Sequence, residues 1–396
     1  MRARTKPEPE ETTLHHSQSA RAQTTSLLGL LAIILGCCIS VAFLSFKYSG
    51  EKTDFEDAAT FGAGTSTVMA SIGGHRIHCS GSRDSDECIA GAKARKVVNS
   101  VLWLGNSQVH AVNQLKGGET NSPPRLFDRL KEKNLDLITF SQPNANLQEH
   151  LVLFEYLKRQ IPVKVLILPV VFDDTREDDL RKEISDLLEN TQVKLSLSST
   201  RIGLKILKGS KSLLTDSRSD TAGISHTLQE KVERVLTQWL EEKSTLWAAR
   251  PEIRGQLMMN LFILRNTLLG IKPTSKRKII RSRYQYNFSA LDVILASAAK
   301  DGIKVVLYVA PLRNDVEIPY VTSQYLQYKT EVQSLAKKYH ASFYNLENLV
   351  PTELWGAKES TAAGAEQELD FMHFQAGGHK LLADRLAEIV ISVLVK

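Results

Sequence analysis

The chain has 396 residues, 42% of them hydrophobic and 24% charged, with a net charge of +6. That is the composition of an ordinary globular protein, with length enough for a large core in one to three domains. The basic residues are spread out and form no dense run interleaved with aromatics, so nucleic acid is not an expected partner.

Residues 1–25 carry Pro, Glu, Thr and His and read as a disordered cytoplasmic tail. Residues 26–46, SLLGLLAIILGCCISVAFLSF, contain no charge. As a helix that length crosses a hydrocarbon core of roughly 30 Å, and no small-residue cleavage site follows closely. It is expected to be a retained single-pass anchor. Arg2, Arg4, Lys6 and Arg21 precede it, against Lys47 and Lys52 behind it, which places the N-terminus in the cytoplasm. The rest of the chain then lies in the periplasm, at the cell surface or in a secretory lumen. Residues 47–95 are rich in Gly, Ser and Asp and read as a stalk with a small irregular subdomain. Within it Cys79 and Cys88 flank the polar loop CSGSRDSDEC; in an oxidising compartment they can close a disulfide, and elsewhere they are free thiols. No Cys/His set has zinc spacing, and neither a metal nor a cofactor is expected.

Regular structure is expected from Lys96. Lys96–Leu104, Leu135–Phe140, Val163–Val171 and Ile303–Ala310 are apolar strands, with a shorter one at Ala341–Asn345. Helices are expected between them: after Ser107 as far as Gly117-Gly118, over Leu147–Gln160, around Leu291–Lys300, over Val321–Tyr339 and, last, over Gly378–Val395. Continuous apolar strands alternating with helices predict an α/β domain over 96–396, a parallel sheet covered on both faces in a flavodoxin-like three-layer αβα arrangement. Residues 190–285 break the alternation. SHTLQEKVERVLTQWLEEK (225–243) and QLMMNLFILRNTLLG (256–270) both look helical, and the second, with Arg265, is too short for a span. The region reads as a helical insertion. It closes with SKRKIIRSR at 275–283, a basic cluster that is either a solvated face or a contact for an anionic polymer or lipid head groups.

Two stretches carry chemistry. The first strand ends in Gly105-Asn106-Ser107-Gln108, which puts Ser107 just past the carboxyl end of a parallel strand, where such sheets bind ligands. Alone, a helix-capping serine explains it equally well. The second stretch, Asp370-Phe371-Met372-His373, precedes the last helix. A nucleophilic serine needs a base, and the base needs an acid that fixes its tautomer; Asp and His three residues apart can meet across one turn of a loop. His110 and His379 lie near the two stretches and read as surface residues.

A serine after the first strand and Asp-x-x-His before the last helix is the order of the SGNH, or GDSL, hydrolase superfamily. Gly105-Asn106-Ser107-Gln108 resembles its first block, usually Gly-Asp-Ser-Leu, and Asp370–His373 its last. The match spans roughly residues 96–180 and 300–396. It implies Ser107 as nucleophile, His373 as general base and Asp370 as its orienting acid. It also implies an oxyanion site made by the Ser107 N–H with help from two loops. The loop after the second strand offers Asn144 or Asn146. In the loop after the third, Asp173 stands where the family has Asn, and a carboxylate there would repel a forming oxyanion. Arg176 can pair with Asp173 or bind a substrate anion.

The anchored architecture resembles the extracytoplasmic SGNH O-acyltransferases of alginate-acetyltransferase or D-alanyl-transfer type. That resemblance implies transfer of an acyl group to a glycan or envelope polymer, beside a multi-spanning membrane O-acyltransferase. An esterase or lipase-like hydrolase is the same chemistry with water as acceptor. A third reading, favoured by Asp173, is a non-catalytic scaffold of an envelope complex.

Overall fold

The computed structural model describes residues 64–216, 275–358 and 368–395. The expected anchor at 26–46 and the stretches 225–243 and 256–270 lie outside them. Among the described residues no helix is long and apolar enough to cross a membrane.

The centre is a six-stranded, all-parallel sheet. In chain order its strands are β4 (His78–Cys79), β5 (Ser100–Gly105), β7 (Asp136–Ser141), β8 (Val163–Val170), β9 (Lys304–Val309) and β10 (Ser342–Asn345). They lie side by side as β10-β9-β8-β5-β7-β4. Without the edge strand β4 this is the flavodoxin-like order, and its reversal falls between β5 and β8. All six residues of β5 and seven of the eight in β8 are buried, as strands covered on both faces must be.

The crossovers supply the covering layers: α3 (Ser122–Lys131) from β5 to β7, α4 (Leu147–Leu157) from β7 to β8, α8 (Arg281–Lys300) into β9, and α9 (Thr322–Lys338) from β9 to β10. Crossing to β7 runs one way along the sheet and crossing to β8 the other. Right-handed connections therefore put α3 on one face and α4, α8 and α9 on the opposite one. The final helix, α10 (Ala376–Val395), packs beside α3, and α8 packs beside α4.

Three expectations need correction. Residues 77–94 are not an irregular subdomain. β4 joins the main sheet beside β7, and α1 (Ser82–Ala94) is a regular helix, joined to β4 by the Cys79–Cys88 disulfide. The helix after Ser107 is only α2 (Ser107–His110). The chain then enters β6 (Ala111–Asn113), drawn into extended form by antiparallel pairing with β1 (Thr65–Thr67). Asp370 and His373 lie not in a loop but within β12 (Glu368–Phe374), which pairs antiparallel with β11 (Trp355–Lys358). The short hairpin strands β2 (Ser71–Ile72) and β3 (His75–Arg76) stand apart from the main sheet. Ahead of the expected insertion lies α5 (Lys182–Asp186); of the insertion itself, the described residues include α6 (Thr191–Ser198) and α7 (Arg201–Asp216).

Candidate active site

Ser107 follows the carboxyl end of β5 after one linking residue. Gly105 must lack a side chain here, because a methyl group on it would overlap the Val109 side chain of α2. Asn106 caps the helix: its backbone is extended, and its Oδ1 accepts the Gln108 N–H at 3.1 Å. Capping is thus done one residue before Ser107, and the serine hydroxyl is available for another partner.

That partner comes from β12. The pairing of β11 with β12 slips between Trp355 and Ala357, so residues 370–373 bulge out of the hairpin. Asp370 Oδ1 accepts the N–H groups of Met372 and His373 at 2.9 and 3.0 Å, which curls the bulge back on itself. Asp370 Oδ2 then lies 3.0 Å from His373 Nδ1, and His373 Nε2 lies 3.0 Å from Ser107 Oγ. All three residues are buried.

Protonation follows from this geometry. Burial alone would raise the Asp370 carboxyl, but the neighbouring His373, its hydrogen bond and the Lys358 charge outweigh burial and hold it below the usual carboxylate range. An ionised carboxylate only accepts, so Nδ1 carries the ring proton and Nε2 presents its lone pair to the Ser107 O–H. This is the arrangement a serine nucleophile needs: a base in contact with the hydroxyl and an acid fixing the base's tautomer.

Polar residues given no role in the sequence reading brace the triad. Gln108 Nε2 donates to the carbonyls of Met372 (2.7 Å) and Pro311 (2.8 Å), tying the serine turn to the histidine bulge and to the loop after β9. Asn113 Nδ2 donates to the Ala357 carbonyl (3.1 Å) and approaches Asp370 Oδ2 at 3.5 Å. Gly356 permits this, since a side chain there would overlap the Asn113 amide. Arg313 donates its N–H to the Phe371 carbonyl (3.2 Å) and Nη1 to the Gly356 carbonyl (2.8 Å). The only sequence signal for Gln108 was its place beside Ser107. Asn113 and Arg313 are found only once β6, β11 and β12 are seen together.

The remaining candidates divide. Asn146 is a helix cap: Oδ1 accepts the Gln148 and Glu149 N–H groups and Nδ2 donates to the Asp179 carbonyl at 2.8 Å. Asn144 is exposed in a left-handed backbone conformation. Neither hydrogen-bonds to the triad among the described residues. Asp173 does not stand as a bare carboxylate. Arg277 forms an ion pair with it, Tyr320 donates its hydroxyl at 3.0 Å, and Arg176 lies 3.4 Å away. Arg176 is thereby placed as an ion-pair partner that also donates Nε to the Lys278 carbonyl at 3.1 Å. The adjacent Asp174 is buried and meets Asn106 Nδ2 at 3.1 Å; burial, then the Asp173 charge, push its carboxyl well above the usual range.

The two histidines read as surface residues are buried. His110 Nδ1 and His78 Nε2 flank the Ser141 hydroxyl at 2.7 and 2.6 Å. His379 Nδ1 meets Ser122 Oγ at 2.8 Å and its Nε2 the Ala111 carbonyl at 3.1 Å. Burial is the main cause that lowers all three, to about 3 for His78 and His379, so these rings are neutral at ordinary pH.

Fold and site together define an α/β protein with a Ser-His-Asp constellation at the carboxyl edge of a parallel sheet. No protein-family model and no curated protein matches the chain. Among solved structures it is similar to a GDSL-like lipase from Bacteroides thetaiotaomicron VPI-5482, at 11% identity and a TM-score of 0.36, covering 78% of this chain and 96% of that one. It is also similar to Axe2, an acetylxylan esterase from Geobacillus stearothermophilus, at 9% identity and a TM-score of 0.35, covering 73% and 92%.

Proposed function

We propose that this chain is a serine acyltransferase of the SGNH kind, working on O-acyl esters in an extracytoplasmic compartment. The observation that carries the reading is the continuous hydrogen-bonded line from Asp370 through His373 to Ser107, 3.0 Å at each step. Ser107 Oγ attacks the ester carbonyl while His373 Nε2 takes its proton. The tetrahedral intermediate collapses, the departing alkoxide receives that proton, and the acyl group stays on Ser107. An acceptor hydroxyl then gives its proton to His373 and attacks the acyl-serine carbonyl. Collapse releases the new ester, and Ser107 regains the proton. The Ser107 N–H, first of its helix and without an intrahelical partner, is a donor for the oxyanion.

The apolar segment 26–46 supports an anchored protein, and the Cys79–Cys88 disulfide supports an oxidising compartment for the domain. The acceptor on this reading is a hydroxyl of a glycan or envelope polymer, with the acyl group supplied by a multi-spanning membrane partner.

A serine-directed fluorophosphonate tests the nucleophile. The full-length protein is expected to be labelled and Ser107→Ala to be unlabelled; labelling that survives the substitution removes the enzymatic reading. Acceptor competition separates transfer from hydrolysis. If added glycan never diverts the acyl group from water, the protein is an esterase.

A further inference from the structure

The buried cluster of His78, Ser141 and His110 is not used by the triad chemistry, yet it is built onto the same turn. Ser141 is the last residue of β7 and pairs in register with Gly105, the last of β5, two residues before Ser107. His78 pairs with Thr139, two residues before Ser141, so the His78 and Ser141 side chains leave the same face of the sheet. His110 is the last residue of α2. One hydroxyl therefore joins three elements: β4, fixed in turn to α1 by the Cys79–Cys88 disulfide; β7; and the turn that carries Ser107.

The join has a direction. A hydroxyl has one proton to give, so between two neutral rings Ser141 donates to one and accepts from the other. His78 Nδ1 is buried with no partner among the described residues. A proton there would be an orphaned N–H, which folded proteins rarely tolerate, so the His78 proton sits on Nε2. His78 Nε2–H then donates to Ser141 Oγ, the Ser141 O–H donates to His110 Nδ1, and His110 keeps its own proton on Nε2.

The short helix α2 needs such an attachment. It is a single turn, closed by the Ala111 N–H on the Ser107 carbonyl, and one turn does not hold itself in place. Asn106 and Gln108 fix its first half, and His110 fixes its end to the sheet. Burial, then the His78 and His373 charges, lower His110, so its ring stands in the field of the base. A ring kept neutral there adds no charge to oppose the imidazolium that His373 becomes on taking the Ser107 proton.

We infer that Ser141 and His110 are positioning residues for the nucleophile, with His78 as their outer post, and that this clasp holds α2 where Ser107 Oγ meets His373 Nε2. The inference deepens the acyl-transfer reading and rests on it for its kinetic consequence.

The test compares full-length wild type, Ser141→Ala, His110→Leu, His110→Asn and the double variant Ser141→Ala/His110→Leu in nonionic detergent. Amide hydrogen exchange is read by mass spectrometry over residues 105–113 and, as reference, over β8. Turnover of p-nitrophenyl acetate gives kcat and KM. Exchange needs no activity, so it decides the clasp even where fluorophosphonate fails to label Ser107, an outcome that would remove the acyl-transfer reading alone. In Ser141→Ala and His110→Leu, exchange over 105–113 is expected to quicken about tenfold with β8 unchanged, the loss of a hydrogen bond or two acting locally. In the same two variants kcat is expected to fall about 10–100-fold, with KM within about twofold of wild type. The double variant is expected to match the single ones, because the two residues make one contact. His110→Asn, whose amide oxygen can take the place of Nδ1, is expected to regain most of the loss. The inference is overturned by unchanged exchange over 105–113, by equal acceleration in β8, or by losses that add in the double variant. It is also overturned by His110→Asn faring no better than His110→Leu, or by an active enzyme whose kcat the variants leave unchanged.

Discussion

His150 offers the cleanest test of the electrostatics. It lies on α4, fully buried, and neither ring nitrogen has a hydrogen-bond partner among the described residues. Burial, with Arg181 as a lesser cause, lowers it from an ordinary 6.5 to about 3. The sign of the effect is fixed by linkage. The folded ring refuses a proton that the unfolded chain binds, so its contribution to stability is fully present above the unfolded value and is lost as pH falls from 6.5 toward 3. Between about pH 7.5 and about pH 5 the unfolded state gains close to one proton from this residue and the folded state almost none. The difference is about 2 kcal/mol. His78 and His379 carry similar shifts, so the three together remove about 6 kcal/mol, a large part of a typical folding free energy of about 5–15 kcal/mol. Asp174 and Glu149, raised chiefly by burial, work in the opposite direction and recover part of the loss. A difference measurement cancels them. Urea unfolding of wild type and His150→Leu at the two pH values should show similar stability at the higher pH, since leucine fills a comparable volume with no buried polar atom. On acidification the variant should lose about 2 kcal/mol less. An equal acid loss in both proteins would refute the claim that His150 is held neutral by burial.

Other outcomes follow from the site. Asp370→Asn keeps an oxygen for the Met372 and His373 N–H groups but turns an amide donor toward Nδ1, which selects the wrong tautomer. Turnover of an activated ester is expected to fall by about 10³–10⁴-fold while circular dichroism stays unchanged. Gln108→Leu removes the two hydrogen bonds that join the serine turn to the histidine bulge. In steady-state kinetics it should lower kcat by about 10–100-fold and leave KM nearly unchanged, because the loss is one of alignment. Reduction of Cys79–Cys88, or Cys88→Ala, should lower unfolding stability by about 2–3 kcal/mol, the value for opening so short a loop, with the change read from chemical denaturation.

What was legible in the sequence was whatever announces itself locally. Strands β5, β7, β8 and β9 are predominantly apolar runs, and each lies within about a residue or two of its expected bounds apart from the start of β5, because double-sided burial favours apolar residues. The Asp370–His373 pairing was legible too, since a three-residue spacing needs only one tight turn. Features set by distant partners were not. Nothing within Ala111–Asn113 says strand; it is one because Thr65–Thr67 lies beside it. His110 and His379 look like surface residues until the hydroxyls of Ser141 and Ser122 are seen to receive them. Arg277 reaches Asp173 across 104 residues of sequence.

The two departures from the resembled family's residues, Asn106 for Asp and Asp173 for Asn, are each answered by a partner. An aspartate at 106 would face Asp174 in a buried site, setting two carboxylates against each other. Asn106 instead donates to Asp174, whose carboxyl is already pushed toward its neutral form, and uses its oxygen to cap α2. Asp173, taken alone, would repel an oxyanion. Arg277, Arg176 and the Tyr320 hydroxyl each partner its carboxylate and offset part of that charge. The feature that favoured an inactive scaffold is therefore a partnered carboxylate rather than a bare one. Around the serine turn stand a buried carboxyl pushed toward its neutral form, a partnered one and an aligned base, which is compatible with charge building up on a carbonyl oxygen at Ser107.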